Sequence, residues 1–139
     1  MNDRTRFWTD VSQTIEAIAR QDHPAPLPFP DRWQLSAGQR ASLIAIAKRL
    51  PQNGIVIADE VGMGKTRLAA AVIRAVIENK GRVAVVIPPG LGFQWSDELR
   101  DAGVQPSDLV RSLSNYLLAW SEREHEPNTG WPSRSVVLI

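Results

Sequence analysis

Apolar side chains recur every three or four residues in several stretches of the chain, the spacing that places them on one face of an α-helix. This pattern predicts helices over residues 4–20, 36–50, 65–81 and 91–103, and a further helix over 107–123. The apolar faces of the first three comprise Phe7, Val11, Ile15 and Ile18, then Leu43, Ile44 and Ala47, and then Leu68, Val72, Ile73, Val76 and Ile77.

The ends of these helices carry recognisable caps. Ser36 can accept a hydrogen bond from the first turn of its helix, and Gln39 stands three residues later, at the second position of a capping box. Pro51 is expected to end this helix. Gly81 and Gly103 are predicted C-terminal caps of the two helices that follow.

Three short runs are apolar without a helical period. Residues 54–58 (GIVIA), 82–88 (RVAVVIP) and 135–139 (SVVLI) suit strands that are buried on both faces. Because helices separate these runs, the order of elements predicts a parallel sheet with helices on its faces. The fold class expected from the pattern is α/β.

A proline-rich stretch divides the chain. Residues 21–32 carry proline at positions 24, 26, 28 and 30, which favours an extended segment. We therefore expect residues 1–32 to form an N-terminal helix and a Pro-rich linker, and residues 33–139 to form the α/β unit.

Composition narrows the class of protein. The 139 residues suit about one domain, 43% of them are hydrophobic, and the formal net charge is +1. This balance leaves nucleic-acid binding open, because such binding needs only a local basic stripe. The lack of cysteine excludes disulfides and thiolate zinc sites. Without a signal peptide or a run of roughly 18 apolar residues, a soluble cytoplasmic protein with no membrane partner is expected.

The loop before the third predicted helix carries the clearest chemistry. It holds Gly62, Gly64, Lys65 and Thr66 in the order Gly-x-Gly-Lys-Thr. Backbone N–H groups at such a helix start converge on phosphates, and the two glycines allow the turn and a close approach. Lys65 would reach the β- and γ-phosphates of a nucleotide, and Thr66 would offer its hydroxyl to Mg²⁺.

Asp59 occupies the position of the first glycine in the strict phosphate-loop pattern. The stretch ADEVGMGKT resembles motif I of the superfamily 2 helicases and translocases, in the Swi/Snf-like branch and closest to its bacterial RapA/HepA-like members. The resemblance implies a partial RecA-like P-loop NTPase lobe over residues 33–139. It also implies ATP and Mg²⁺ as ligands, a DNA or RNA track, and further motor domains downstream in a longer protein. The residues assigned to the nucleotide are Gln39, Asp59, Glu60, Val61, Gly62, Met63, Gly64, Lys65, Thr66 and Arg67, with Thr66 serving the magnesium ion.

Two neighbouring stretches extend the resemblance. LSAGQR is similar to the Leu-x-x-x-Gln stretch that precedes motif I, which implies that Gln39 reads the adenine edge. A capping box alone would also explain Gln39. VAVVIPPGLGFQWSDELR is similar to motif Ia, which implies contacts of Pro89 and Gly90 with a nucleic-acid backbone. Trp95 is interpreted as a packing residue.

Hydrolysis would need a further carboxylate pair, which in the family is an Asp-Glu-x-His motif. Asp97-Glu98 lies within a predicted helix with no strand before it, and Asp59-Glu60 belongs to motif I. No catalytic residue is therefore assigned. The expected function is ATP binding by the N-terminal part of a Swi/Snf-like motor. The alternatives are a non-catalytic nucleotide-binding module and another P-loop NTPase, such as an AAA-type protein or a kinase.

Overall fold

The computed structural model describes residues 3–28, 30–58, 62, 64–88, 90–105, 112, 114 and 136–138. This part of the chain is mainly helical. None of the helices found there combines the length and the apolar character needed to cross a membrane. The elements in chain order are α1 (Asp3–Arg20), a 3-10 turn (Pro30–Arg32), α2 (Ala37–Arg49), α3 (Lys65–Glu78), β1 (Val83–Val85), α4 (Gly92–Asp101) and β2 (Val136–Leu138).

Helices α1, α2 and α3 pack together around the larger of two apolar clusters. Val11 and Ile15 of α1 are buried there, which confirms the apolar face predicted for this helix. Leu43 of α2 and Leu68 of α3 are buried in the same cluster. α1 therefore contributes directly to the same core as α3, the helix that follows the glycine-containing loop.

The start of α2 confirms the predicted capping box. The backbone N–H of Gln39 donates to Ser36 Oγ at 3.2 Å. In return, the backbone N–H of Ser36 donates to Gln39 Oε1 at 2.9 Å. Two N–H groups that a helix start leaves without partners are thus satisfied by side chains of the same turn.

The predicted parallel sheet is wrong, and with it the α/β fold class and the partial RecA-like P-loop NTPase lobe. Residues 54–58 form no strand, and Val56 is 92% exposed. β1 covers three residues of the expected strand over 82–88. It pairs in parallel with β2, which confirms a strand near residues 135–139, but this short ladder is not a sheet flanked by helices.

The physical reason for the error lies in what an apolar run can indicate. Such a run shows that a segment contacts a core, but it does not show whether a neighbouring strand supplies backbone hydrogen bonds. Ile55 and Ile57 are indeed half-buried against the helical core. The core that receives them is built from helices. The predicted helix over 107–123 lies outside the described residues, apart from the isolated positions 112 and 114.

The C-terminal end of α3 places its cap one residue earlier than predicted. Lys80, not Gly81, has the positive φ, at 63°. The N–H of Lys80 donates to Ile77 O at 2.9 Å, and the N–H of Gly81 donates to Val76 O at 2.8 Å. These two bonds form a Schellman motif with lysine in the left-handed position that usually holds glycine.

Gly81 is nevertheless required by packing. A Cβ atom at this position would lie 2.6 Å from Val76 Cγ1 and 2.8 Å from Phe7 Cζ. The end of α3 is therefore pressed against the side chain of Phe7 on α1. Glycine is needed at position 81 because a side chain would not fit there. The unfavourable positive φ is adopted by Lys80.

A second, smaller apolar cluster joins α3, β1 and α4. Ile73, Val85 and Leu99 are buried in it. The predicted cap at Gly103 is confirmed by its φ of 79°. A Cβ atom at Gly103 would lie 3.0 Å from Pro26 Cβ, so the proline-rich arm (residues 21–28) packs directly on the end of α4.

A buried arginine fastens the same arm to α3. Arg74 is only 7% exposed, and its Nε donates to Glu78 Oε1 at 2.7 Å. Its Nη2 donates to the backbone oxygen of Pro24 at 2.8 Å and lies 3.1 Å from His23 Nδ1. His23 Nε2 lies 2.7 Å from Glu78 Oε2. The arm therefore supplies partners for a charge that could not be buried alone.

Candidate phosphate-binding site

The loop that leads into α3 has the backbone conformation of a glycine-dependent turn. Gly62 has a φ of 89° and Gly64 has a φ of 76°. Side chains disfavour this left-handed region, so both positions need glycine for backbone reasons, as predicted. Gly64 is the N-cap of α3, and its carbonyl oxygen accepts from the N–H groups of Arg67 and Leu68 at 3.1 and 3.2 Å.

Lys65 and Thr66 are the first two residues of α3, and both are partly exposed. The first N–H groups of a helix have no partners within it, and the positive end of the helix dipole lies at the same place. α3 runs for 14 residues, long enough to present this dipole. The first turn therefore offers an ammonium group, a hydroxyl group and backbone donors to an anion.

Gln39 lies beside this loop, although 25 residues separate it from Gly64 along the chain. Its Nε2 donates to the carbonyl oxygen of Gly64 at a long distance of 3.5 Å. Its Oε1 serves the capping box of α2 at the same time. The structure thus brings together two predicted ligand residues and also confirms the capping role of Gln39.

Arg67 joins three parts of the chain at the first turn of α3. Its Nε donates to Glu98 Oε1 of α4 at 2.5 Å, and its Nη1 donates to the backbone oxygen of Gln34 at 3.0 Å. The guanidinium carbon lies 5.4 Å from the ring centroid of Trp33. Such an arrangement combines an ion pair, a hydrogen bond and a cation–π contact on one side chain.

The Asp97-Glu98 pair is engaged in contacts with arginines. Asp97 Oδ1 lies 3.0 Å from Arg100 Nη1, and Glu98 is paired with Arg67. Both carboxylates belong to α4, as the sequence predicts. Neither one follows a strand, so the pair does not have the setting that a magnesium-holding acidic motif needs.

Several predicted site residues lie outside the described part of the chain. They are Asp59, Glu60, Val61, Met63 and Pro89. Gly90 is described as exposed, with a φ of 91°. The assignment of Pro89 and Gly90 to a nucleic-acid backbone therefore stays a prediction, as does the assignment of the acidic residues to the nucleotide.

The partners of Arg67 were not predicted from the sequence. Glu98 and Gln34 lie 31 and 33 residues away from it in the chain. The periodicity of apolar residues placed Glu98 on a helix, but it did not indicate that this helix contacts Arg67 at the start of α3. The one available hint was Trp33, an aromatic residue two positions before the stretch that resembles the family's Leu-x-x-x-Gln.

Comparison of the chain with models of protein families, with curated proteins and with solved structures gave no match.

Proposed function

We propose that this chain binds the phosphates of ATP, with Mg²⁺, at the start of α3. The observation that carries the proposal is the loop itself. Gly62 and Gly64 both have positive φ, and Lys65 and Thr66 follow at the first two positions of a 14-residue helix. A glycine-dependent turn at a helix N-terminus is the arrangement by which backbone N–H groups bind phosphate.

The residues present fit the two ligands in chemical terms. Lys65 supplies a positive charge for the terminal phosphates, and Thr66 supplies a hydroxyl oxygen of the kind that Mg²⁺ accepts as a ligand. Backbone donors of the first turn would take the remaining phosphate oxygens. Mg²⁺ would neutralise the part of the phosphate charge that the single positive charge of Lys65 leaves unbalanced.

Gln39 supports the choice of adenine as the base. Its amide lies next to Gly64, so a base held close to the phosphate loop would come within reach of this side chain. An amide can both donate and accept, which matches the donor and acceptor on the edge of adenine. Recognition of the base would require Gln39 to exchange at least one of its present partners.

The broader activity that we propose for a longer protein rests on the motif residues alone. The similarity of residues 58–66 to motif I of Swi/Snf-like translocases favours a cytoplasmic motor that acts on DNA or RNA. For this chain we propose binding without efficient turnover, because Asp97 and Glu98 are paired with arginines on a helix. A nucleotide-binding module without catalysis is the second candidate, favoured by the same two ion pairs.

A calorimetric titration tests the proposal. Mg-ATP should bind the wild-type chain, and Lys65→Ala should remove the binding because the terminal phosphates lose their fixed cation. Lys48→Ala is the matched control, since Lys48 is an exposed lysine in the last turn of α2. Equal affinity of wild type and Lys65→Ala would contradict the proposed site, and so would an equal loss in Lys48→Ala.

A further inference from the structure

We propose that Arg67 and Glu98 form a positioning pair for the phosphate loop, and that Arg67 does not itself bind the nucleotide. The inference rests on the proposed function and assigns Arg67 a different role from the direct contact that the sequence suggests. It also gives α4 a part in nucleotide binding, through Glu98. Three independent contacts of one guanidinium group carry the argument.

Two of the three guanidinium nitrogens of Arg67 already donate to other groups. The Nε atom is used by Glu98 and the Nη1 atom by the backbone of Gln34, while the guanidinium lies over the Trp33 ring. A planar guanidinium that makes directed bonds on two of its nitrogens is fixed in orientation. It can reach a phosphate only if it gives up at least part of this arrangement.

If Arg67 exchanged Glu98 for a phosphate, the carboxylate of Glu98 would lose its partner. The side chain of Arg67 is 26% exposed and that of Glu98 is 20% exposed, so the pair is largely removed from solvent. Removing the arginine from such a pair leaves a poorly solvated carboxylate without a counter-charge, which is costly. A phosphate would also bring negative charge towards Glu98. Both effects oppose the recruitment of Arg67 as a ligand.

The contacts of Arg67 hold the start of α3 to two other parts of the chain. Arg67 is the third residue of α3, directly after Lys65 and Thr66. Gln34 lies just before the capping box of α2, whose Gln39 touches Gly64. The segment that leads into α2 is therefore attached to the start of α3 through Gln34, and the first turn of α2 is attached there through Gln39. Glu98 attaches α4 at a third point. Loss of the Arg67 contacts should loosen the turn that presents Lys65 and Thr66.

A set of five variants tests the pair. We would titrate Mg-ATP and magnesium tripolyphosphate into Arg67→Gln, Glu98→Gln, the double variant, Arg67→Lys and Asp97→Asn, at a temperature where circular dichroism shows each to be folded. Each single glutamine variant should bind both ligands about tenfold more weakly, and the double variant no more weakly than either single one. Asp97→Asn is the matched control, because Asp97 is 76% exposed and paired with Arg100, and it should bind as wild type.

The lysine variant separates positioning from simple charge. Lysine keeps the positive charge, but it cannot hold Glu98, Gln34 and Trp33 in the same geometry. Arg67→Lys should therefore bind both ligands about tenfold more weakly than wild type, as Arg67→Gln should, and its comparison with wild type remains decisive if a glutamine variant fails to fold. Wild-type affinity in Arg67→Lys would overturn the proposal.

Other results also have fixed meanings. If Glu98→Gln bound as tightly as wild type or more tightly while Arg67→Gln lost affinity, Arg67 would be a phosphate ligand and the proposal would be wrong. If wild type bound neither ligand, the proposed function itself would fail and the inference would fall with it. Normal binding by wild type with unchanged binding by both single variants would overturn the inference alone.

Discussion

The side-chain amide of Gln39 lies directly against Gly64, so that a Cβ atom on Gly64 would collide with Gln39 Nε2. One side chain thus closes the first turn of α2 and touches the N-cap of α3. Helix capping and contact with the phosphate loop are therefore not alternatives in this protein. A change of either residue should affect both helix starts.

Two substitutions of Gln39 should separate its roles. Gln39→Ala removes the capping box and should cost about 1 kcal/mol of stability. Gln39→Glu keeps an oxygen for the N–H of Ser36 but removes the amide N–H group beside Gly64. If the amide reads adenine, both variants should narrow the difference between ATP and GTP affinity, while only the alanine variant should unfold at lower temperature. If the ratio of ATP to GTP affinity were unchanged in Gln39→Glu, Gln39 would serve only in the capping box of α2.

Gly64→Ala and Gly38→Ala should change stability in opposite directions. Alanine at position 64 would adopt a φ of 76°, which costs about 1–2 kcal/mol, and would push the Gln39 amide away. Gly38 lies inside α2, and the nearest atom to an added Cβ would be Ser36 Oγ at 3.9 Å. Gly38→Ala should therefore stabilise the protein by about 0.5 kcal/mol. Urea denaturation of both variants checks the two signs.

The end of α3 offers a second pair of opposite effects. Lys80→Gly should raise stability by about 1 kcal/mol, because glycine adopts the positive φ at this position without strain. Gly81→Ala should lower stability by about 1–3 kcal/mol, since the new methyl group would overlap Val76 and Phe7. Thermal unfolding of the two single variants is sufficient. If Gly81→Ala unfolded at a higher temperature than wild type, α1 and α3 would be able to move apart more easily than their packing indicates.

The contribution of α1 to the core can be measured at Ile15. Ile15→Ala removes a buried side chain between α1 and its neighbours and should cost about 2–5 kcal/mol. Val56→Ala is the control, because Val56 is almost fully exposed and its truncation should stay within about 0.5 kcal/mol. Chemical denaturation followed by circular dichroism gives both values. A small loss at Ile15 would show that α1 is dispensable for the core.

Nucleotide turnover should be absent or very slow in this chain. An acidic pair that anchors magnesium is needed besides a phosphate loop, and an arginine finger adds roughly 10³–10⁵ in rate. Phosphate release should not rise when duplex DNA is added, and a Lys65→Ala sample controls for contaminating ATPases. DNA-stimulated release that disappears in that sample would show that a catalytic carboxylate has been overlooked.

Local signals in the sequence were sufficient for most of the helices. The spacing of Val11 and Ile15 and the Ser36–Gln39 pair are read within one or two turns of chain, and the structure agrees with them. The strand at 54–58 was mispredicted because a strand is defined by its neighbours, which lie far away in the sequence. The same limit hid the contact between Arg67 and Glu98.

Glycine at the end of a predicted helix correctly indicated the left-handed residue in one of two cases. At Gly103 the glycine takes the left-handed conformation that the sequence suggests. At Gly81 it does not, because Lys80 adopts the positive φ and Gly81 is needed for close packing. The residues of the candidate site were predicted from their types in the loop before α3 and in the stretch around Gln39, while the orientation of Arg67 and Gln39 depends on tertiary contacts.

The buried guanidinium of Arg74 sets a practical limit on how far the protein can be shortened from its N-terminus. A version that began after Pro24 would lack all of α1, together with the imidazole of His23 and the carbonyl oxygen of Pro24. Glu78 would then be the remaining partner among the contacts described for Arg74, a residue that is only 7% exposed in the intact chain. Anyone trimming this protein for expression should therefore keep both α1 and the arm, since replacing Arg74 with an apolar residue such as methionine would not restore the core contacts of Val11 and Ile15.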